Sequence, residues 1–391
     1  GQPCFIEANT YRWKEHWGIG EDWHLGYRSR EEGERWMANC PLKKLESHLN
    51  THEISEMEEQ IKHEIDEAVD FALESSVPLS GELLTDVSSD FNLVANEGFE
   101  IPERYISYKE AGAEALLQAM EHDERVILMG EGVDNITGVY GHVLPAYEKF
   151  GPDRVIDTPL SENALTGIAI GAALDGLRPV LIHQRNDFML LAMDQIFNQA
   201  AKIRYVSGGK HKVPITILSF VARKAGEGVQ HSQSLQSVFA NFPGIKIGMP
   251  YSPYDVKGMI LTAINDDDPV IILEHRSLFE ISGDVPDDFY LTPYSAKVVV
   301  PGDDLTIVCL SFATKTVLDA LSEVNSNKLG LNENIYPEVI DLRWVKPYDI
   351  DLIEKSVKKS GRLLIVDTGW KHFSISSEII AAVCERAYSS L

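Results

Sequence analysis

The sequence predicts an α/β protein with parallel sheets in two successive units, behind a helical N-terminal segment. Three observations carry this. From about residue 104 to 290, short β-branched runs alternate with helical stretches, the pattern of a parallel sheet covered on both faces. After "PGDD" at 301–304 a second alternation of the same kind begins. Ahead of both, residues 1–88 are highly charged, carry several Trp residues and end in a long helical pattern.

In that first segment, "SEMEEQIKHEIDEAVDFALES" reads as a helix. Ser55 and Glu58 form a capping-box pair, and Met57, Ile61, Ile65, Val69 and Leu73 recur every four residues. The apolar stripe is expected to pack and the Glu, Lys and Asp face to be solvated. Residues 89–103 show no period and are expected to be a linker. In the 104–290 unit, "SYKEAGAEALLQAMEHD" is helical, "RVILMGEGV" and "RPVLIHQ" are strands, and "LLAMDQIFNQAAKIRYVSG" is a helix. "VPITILSF" is a strand, and "PYDVKGMILTAINDDDPVIILEH" reads helix then strand. The 291–391 unit gives strands at "LTIVCLSF", "YPEVIDLRW" and "RLLIVDTG", with helices at "TKTVLDALSEVN", "YDIDLIEKSVKKS" and "SISSEIIAAVCERAYSSL".

The totals bound the function. A chain of 391 residues with 44% apolar and 24% charged content is long enough for two or three cores. Its net charge of −25 repels phosphates and argues against a nucleic-acid or acidic-membrane partner. No apolar stretch of about 18 residues suggests a membrane span, and no charged-then-apolar leader suggests secretion. Cys4, Cys40, Cys309 and Cys384 lack metal-ligand or CxxC spacing, so free thiols in a reducing compartment are expected: the cytoplasm, or the mitochondrial matrix in a eukaryote. A start at Gly1 without Met is read as a sign of a processed or partial chain.

In an open parallel sheet, ligands sit outside the carboxyl ends of the strands. Glu162 falls in such a loop, between the strand-like "RVIDTPL" and the helical "ALTGIAIGAALDG". There a carboxylate suits the helix dipole, so on the local pattern alone it reads first as a capping residue near Ser161. Neighbouring loops carry Asn186, Asp187 and Phe188 in "HQRNDF", His231 in "GEGVQHSQS" and Glu131 in "GEGVDNITGVYG". A lone loop histidine also fits a plain surface residue, and Phe188 by itself a core residue.

The stretches "MGEGV", "FGPDRVIDTPLSE", "GIAIGAALDGLRPV", "DQIFNQAAKIRYVSGG", "QHSQSL" and "AINDDDPVIILEH" resemble the β subunit of the thiamine-diphosphate-dependent 2-oxoacid dehydrogenases, over about 104–391. These are the decarboxylating first components of pyruvate, branched-chain 2-oxoacid and acetoin dehydrogenase complexes. "IEANTYRWKEHW", "YRSREEGERWM" and "CPLKKLESHL" resemble the tail of the family's α subunit, which is normally a separate chain. The resemblance implies a transketolase-like pyrimidine-binding domain at 104–290 and a truncated transketolase C-terminal-like domain at 291–391, behind the α-type tail. It implies that Glu162 hydrogen-bonds the cofactor's pyrimidine nitrogen in a dry pocket, with Phe188 stacked on that ring. His231 matches an active-site histidine that meets the substrate or moves protons, and Glu131 a second acid near the cofactor. From the α-type tail, His16 matches the active-site histidine of a "YRxxGH" loop, although Glu15 replaces the glycine. No Ser lies between Tyr11 and Tyr27, where some members carry a regulatory one. "SFVARKAGEG" also departs from the family's "RGPxGAGxG", and Arg223 and Lys224 there fit either an anionic substrate or a solvated pair. "AINDDDP" matches a structural potassium loop of backbone carbonyls around Ala263, Asp266 and Asp268, and Asp clusters also simply end helices.

One family motif is missing. The diphosphate is held through Mg2+ by a "GDG" with a later Asn, whereas this chain has "GDV" at 283–285 and "GDD" at 302–304. The Mg2+ ligands are therefore expected outside this chain, in α-type sequence fused upstream or carried by another chain. The reading implied is oxidative decarboxylation of a 2-oxo acid, with a lipoyl acyltransferase as acceptor and an oligomer of α2β2 type. A thiamine-dependent carboligase, or a non-catalytic partner subunit, stand as alternatives.

Overall fold

The computed structural model describes residues 5–15, 18–89, 104–134, 142–222, 226–287, 289–325 and 335–391. The chain forms two units, one reaching to Glu82 and one running from Leu83 to Leu391. The linker expected at 89–103 lies outside the described residues, apart from Ser89.

The first unit is helical, with helices Arg30–Ala38, Pro41–Glu46 and Thr51–Glu74. Its loop is organised by Asp22, a buried carboxylate that accepts from Arg12 and Arg28 (2.9 and 2.8 Å) and from the Tyr27 hydroxyl. The long helix starts earlier than its period suggests. Asn50, not Ser55, is the cap: its side chain accepts from the Glu53 N–H at 2.9 Å, while Glu53 accepts from the Asn50 N–H at 3.1 Å. A polar residue three before a Glu closes both orphan donors equally well at either place, and the helix takes the one that adds a turn. The apolar stripe is also not packed as expected. Met57, Ile61, Ile65 and Val69 are 44, 56, 56 and 50% exposed, so the helix period marks a face whose burial this chain's described residues do not provide.

The second unit begins with β1 (Tyr105–Ser107) and the helix Tyr108–His122, whose Ser107/Glu110 capping box is formed. β2 (Val126–Gly130), β3 (Val155–Asp157), β4 (Arg178–His183), β5 (Thr216–Val221), β6 (Lys246–Gly248) and β7 (Val270–His275) follow, with β8 (Ser282–Asp284) beside β1. A second set comprises β9 (Lys297–Val300), β10 (Leu305–Cys309), β11 (Pro337–Asp341), β12 (Trp344–Lys346) and β13 (Leu363–Val366). The large sheet has seven strands in the order β12-β6-β7-β5-β4-β2-β3, parallel except at β12, and the smaller sheet runs β13-β10-β11-β9. β5 and β7 are buried at every position, because helices cover both faces. β12 crosses the boundary drawn at 290. It pairs antiparallel with β6, so the C-terminal segment supplies an edge to the first sheet. The segment read as one helix from "LLAMDQ" is a short 3-10 turn (Phe188–Ala192), a π-helical stretch (Asp194–Ala200) and an α-helix (Ala201–Val206). A widened turn inserted in a helix recurs near functional sites.

Behind this sheet, Tyr108, His142 and Glu274 are fully buried, and their hydroxyl, ring nitrogens and carboxyl oxygens have no hydrogen-bond partner among the described residues. His142 Nε2 lies 3.9 Å from Glu274 Oε2. Burial lifts the Glu274 carboxyl to about 8 and drops the His142 imidazole to about 4. The signs oppose each other. Glu274 stabilises the fold fully below its unfolded value near 4.5 and loses that contribution as pH rises through about 8. His142 stabilises it above about 6.5 and loses that as pH falls through about 4. Denaturant unfolding of Glu274→Gln against the natural chain is therefore expected to show the natural chain losing up to about 1.4 kcal/mol per pH unit more between pH 5 and 8. Parallel pH profiles would refute a buried, raised Glu274.

Candidate active site

The loops at the carboxyl ends of β2, β3, β4 and β5 converge. Glu162 is the first residue of the helix Glu162–Leu174, with Ser161 before it making no side-chain cap. The helix is apolar and small because one side packs on the sheet through Ala169, Ile170 and Ala173. Its first turn is tied to β4. Thr166 Oγ1 donates to the Glu162 carbonyl at 2.7 Å and sits 3.1 Å from His183 Nε2. With the Thr166 proton committed, His183 donates through Nε2. Burial drops the His183 imidazole to about 4, so it is neutral. His183 ends β4 in "LIHQ", and nothing in that local pattern distinguishes it from a core residue.

Glu131, Glu162, Leu165, Leu181, Ile182, His183 and Phe188 line one cavity of about 240 Å3. The β2 and β4 loops that frame it are joined by a 2.8 Å bond from Gln184 Nε2 to the Glu131 carbonyl. Phe188 opens the turn after β4, and His231 meets it edge-on, with ring centroids 5.2 Å apart at 89°. Glu131, Glu162 and Phe188, from separate loops, thus line one cavity, and His231 packs against the Phe188 ring without lining that cavity. Glu131 is exposed, and Glu162, Phe188 and His231 are half-buried, so the dry pocket expected is only half enclosed by this chain. The cavity's volume lies below the usual 300–1,000 Å3 of a ligand site, and both Phe188 and Glu162 line it. His16, Arg223 and Lys224 lie outside the described residues.

The acidic loop at 263–268 is tied down by charged side chains of the chain itself. Lys246 Nζ donates to both carboxylate oxygens of Asp266 at 2.8 Å and lies 2.9 Å from Asp268. Arg204 also pairs with Asp268, and the Tyr294 hydroxyl with Asp266. Arg178 donates to the carbonyls of Ile264 and Asp266 at 2.9 Å, and the Ala263 carbonyl accepts from the Asp266 N–H. Cationic side chains thus meet the carboxylates of Asp266 and Asp268 and the carbonyls of Ile264 and Asp266. Burial raises Asp266, whereas Asp268 is held low against its burial by Lys246, the Ser89 N–H and Arg204. Among the described residues no group of three or more His, Cys, Asp or Glu side chains could hold a metal ion, and no helix is long and apolar enough to cross a membrane.

Comparison with known proteins gives three consecutive family matches. Residues 104–281 match the transketolase pyrimidine-binding domain, 295–391 the transketolase C-terminal domain, and 1–79 the dehydrogenase E1 component. The pyruvate dehydrogenase E1 component subunit beta of Rickettsia bellii is 41% identical over 287 residues, spanning 73% of this chain and 86% of that one. The 2-oxoisovalerate dehydrogenase subunit beta of Bacillus subtilis is 38% identical over 288 residues, again 73% and 86%. Among solved structures, a split-gene transketolase described as an inactive beta4 tetramer superimposes with a TM-score of 0.57 at 19% identity, covering 72% of this chain and 86% of that one. It shares the fold.

Proposed function

The chain belongs to the β-subunit family of dehydrogenase E1 components, with an α-type segment joined at its N-terminal side, and from that membership we propose that it supplies the pyrimidine half of a thiamine diphosphate site for oxidative decarboxylation of a 2-oxo acid. The observation that carries the reading is the shared cavity: a carboxyl at the edge, a phenyl ring on one wall and an imidazole against that ring. Bound there, the cofactor would supply the electron sink for decarboxylation. Glu162 would hold a proton against a ring nitrogen. Phe188 would stack on the ring and fix its plane, and the apolar Leu165, Leu181 and Ile182 would keep water from that edge. His231 would donate to the substrate carboxylate or move a proton at it. Glu131 would act as a second acid at the rim.

The diphosphate and Mg2+ would be held by α-type sequence outside this chain, because the cavity is small and the described residues offer no metal cluster. A potassium ion on the backbone carbonyls around Ala263, Asp266 and Asp268 remains part of the reading, in a loop whose carboxylates pair with Lys246 and Arg204. The same reading extends to an oligomer completed by that α-type region, with a lipoyl acyltransferase as acyl acceptor. A reducing compartment, the cytoplasm or the mitochondrial matrix, fits Cys40, Cys309 and Cys384 as free thiols. Calorimetry tests the half-site. The chain by itself should retain thiamine diphosphate and Mg2+ weakly, and addition of the family's α-type subunit should give tight binding and turnover with an artificial electron acceptor. Tight binding by the chain alone would overturn the half-site. Carbon–carbon bond formation in place of acceptor reduction would overturn the dehydrogenase reading.

A further inference from the structure

The geometry points to a positioning device: Arg185, Asn186 and Asp187, three consecutive residues after β4, clamp the 226–235 loop so that His231 is held against Phe188. It rests on the reading above for its catalytic meaning and on geometry alone for its existence. Each residue makes a different bond to the same loop. Arg185 pairs with Glu227 at 2.5 Å, and Arg276, from the end of β7, pairs with the other oxygen of that carboxylate. Asn186, 0% exposed, donates through Nδ2 to the Gln233 carbonyl (3.1 Å) and the Phe220 carbonyl (3.3 Å), and accepts at Oδ1 from the Leu235 N–H (3.1 Å). Asp187 accepts at Oδ1 from both the backbone N–H and the side-chain amide of Gln233, at 3.2 and 2.9 Å. The next residue, Phe188, receives His231 edge-on.

The loop needs such a clamp. Val229 and Gln230 are exposed, and His231 sits in a single 3-10 turn with no side-chain cap. Gly226 and Gly228, at φ 76 and 84°, let the chain double back so that Glu227 turns in toward the arginines. The bonds fall on both sides of His231, at 227 and at 233–235, so the imidazole is strung between two fixed points. Two guanidinium groups on one carboxylate also make the 227 anchor depend on charge: neutralising Glu227 leaves Arg185 and Arg276 facing each other. Arg185, Asn186 and Asp187 are positioning residues. None of the three lines the cavity.

The ring-proton resonances of His231, assigned by their loss in His231→Gln, report the contact in the cofactor-free chain, because the Phe188 ring current displaces them. Asp187→Ala and Glu227→Gln are expected to move these resonances most of the way to the position of a free histidine, with amide signals elsewhere unchanged. Asp187→Asn, which keeps an acceptor for Gln233, is expected to preserve them. In the assembled enzyme Asp187→Ala should lower kcat about tenfold to a hundredfold, as misplacement of a reacting group does, and Asp187→Asn should restore most of it. His231 resonances unchanged in both Asp187→Ala and Glu227→Gln would overturn the clamp. If Asp187→Ala fails to fold, Glu227→Gln, at a partly exposed side chain, decides alone. Failure of the natural assembled enzyme to bind thiamine diphosphate would sink the functional reading and leave the resonance result standing.

Discussion

Glu162→Gln is expected to lower turnover of the assembled enzyme at least about a hundredfold while leaving the fold intact. The size follows from the role: general acid–base groups contribute about 10²–10⁴ in rate, and the amide can touch the ring nitrogen without exchanging a proton with it. The fold should tolerate the change because Glu162 is half-buried at a helix start, and its interaction with the dipole is worth about 0.3–1 kcal/mol. Its backbone carbonyl keeps the bond from Thr166, which does not depend on the side chain. Steady-state kinetics beside a thermal melt separates the two effects. Turnover near that of the natural enzyme would show that Glu162 is only a helix-start residue, the plainer reading open at the sequence level.

The largest effect on stability is expected at Lys246. Its ammonium is 6% exposed as a residue and bridges Asp266 and Asp268, both buried. Its Nζ also lies 5.1 Å from the centre of the Tyr294 ring. Lys246→Ala would leave Asp268 in the interior with Arg204 and Ser89 as partners, and Asp266 with the Tyr294 hydroxyl and the Asp268 N–H. Removing one member of a buried pair costs about 3–5 kcal/mol, which corresponds to a fall in melting temperature on the order of 10 °C for a unit of this size. Differential scanning calorimetry of the variant measures it, and a change within about 1 °C would show that the loop does not need this lysine. Addition of K+ to the natural chain tests the potassium reading by the same measurement. A raised melting temperature would support an ion on the loop's carbonyls, and an unmoved one would leave the loop to Lys246, Arg204 and Arg178.

Local chemistry made much of this legible. Runs such as Thr216–Val221 and Val270–His275 are apolar at nearly every position, and that composition suits only a strand covered on two sides. The helix beginning at Glu162 was visible in its small apolar residues, and the family motifs around Glu162, Phe188 and His231 pointed to one site. Capping choices were less legible: Asn50 and Ser55 each stand three residues before a Glu, and a difference of one helical turn is worth little locally.

The sequence by itself determined the elements, their order and the residue types offered at each loop, because periodicity and turn chemistry act over a few neighbouring residues. Only the tertiary structure decided which loops meet. The order β7-β5-β4-β2-β3 sets the end of β4 beside that of β5 and so brings Asn186 to Leu235 and Phe188 to His231. It likewise gave the acidic loop a lysine from β6, left the Met57–Val69 stripe exposed and carried β12 across to the first sheet. Those outcomes follow from strand pairing and desolvation between residues far apart in the chain, which no local pattern encodes.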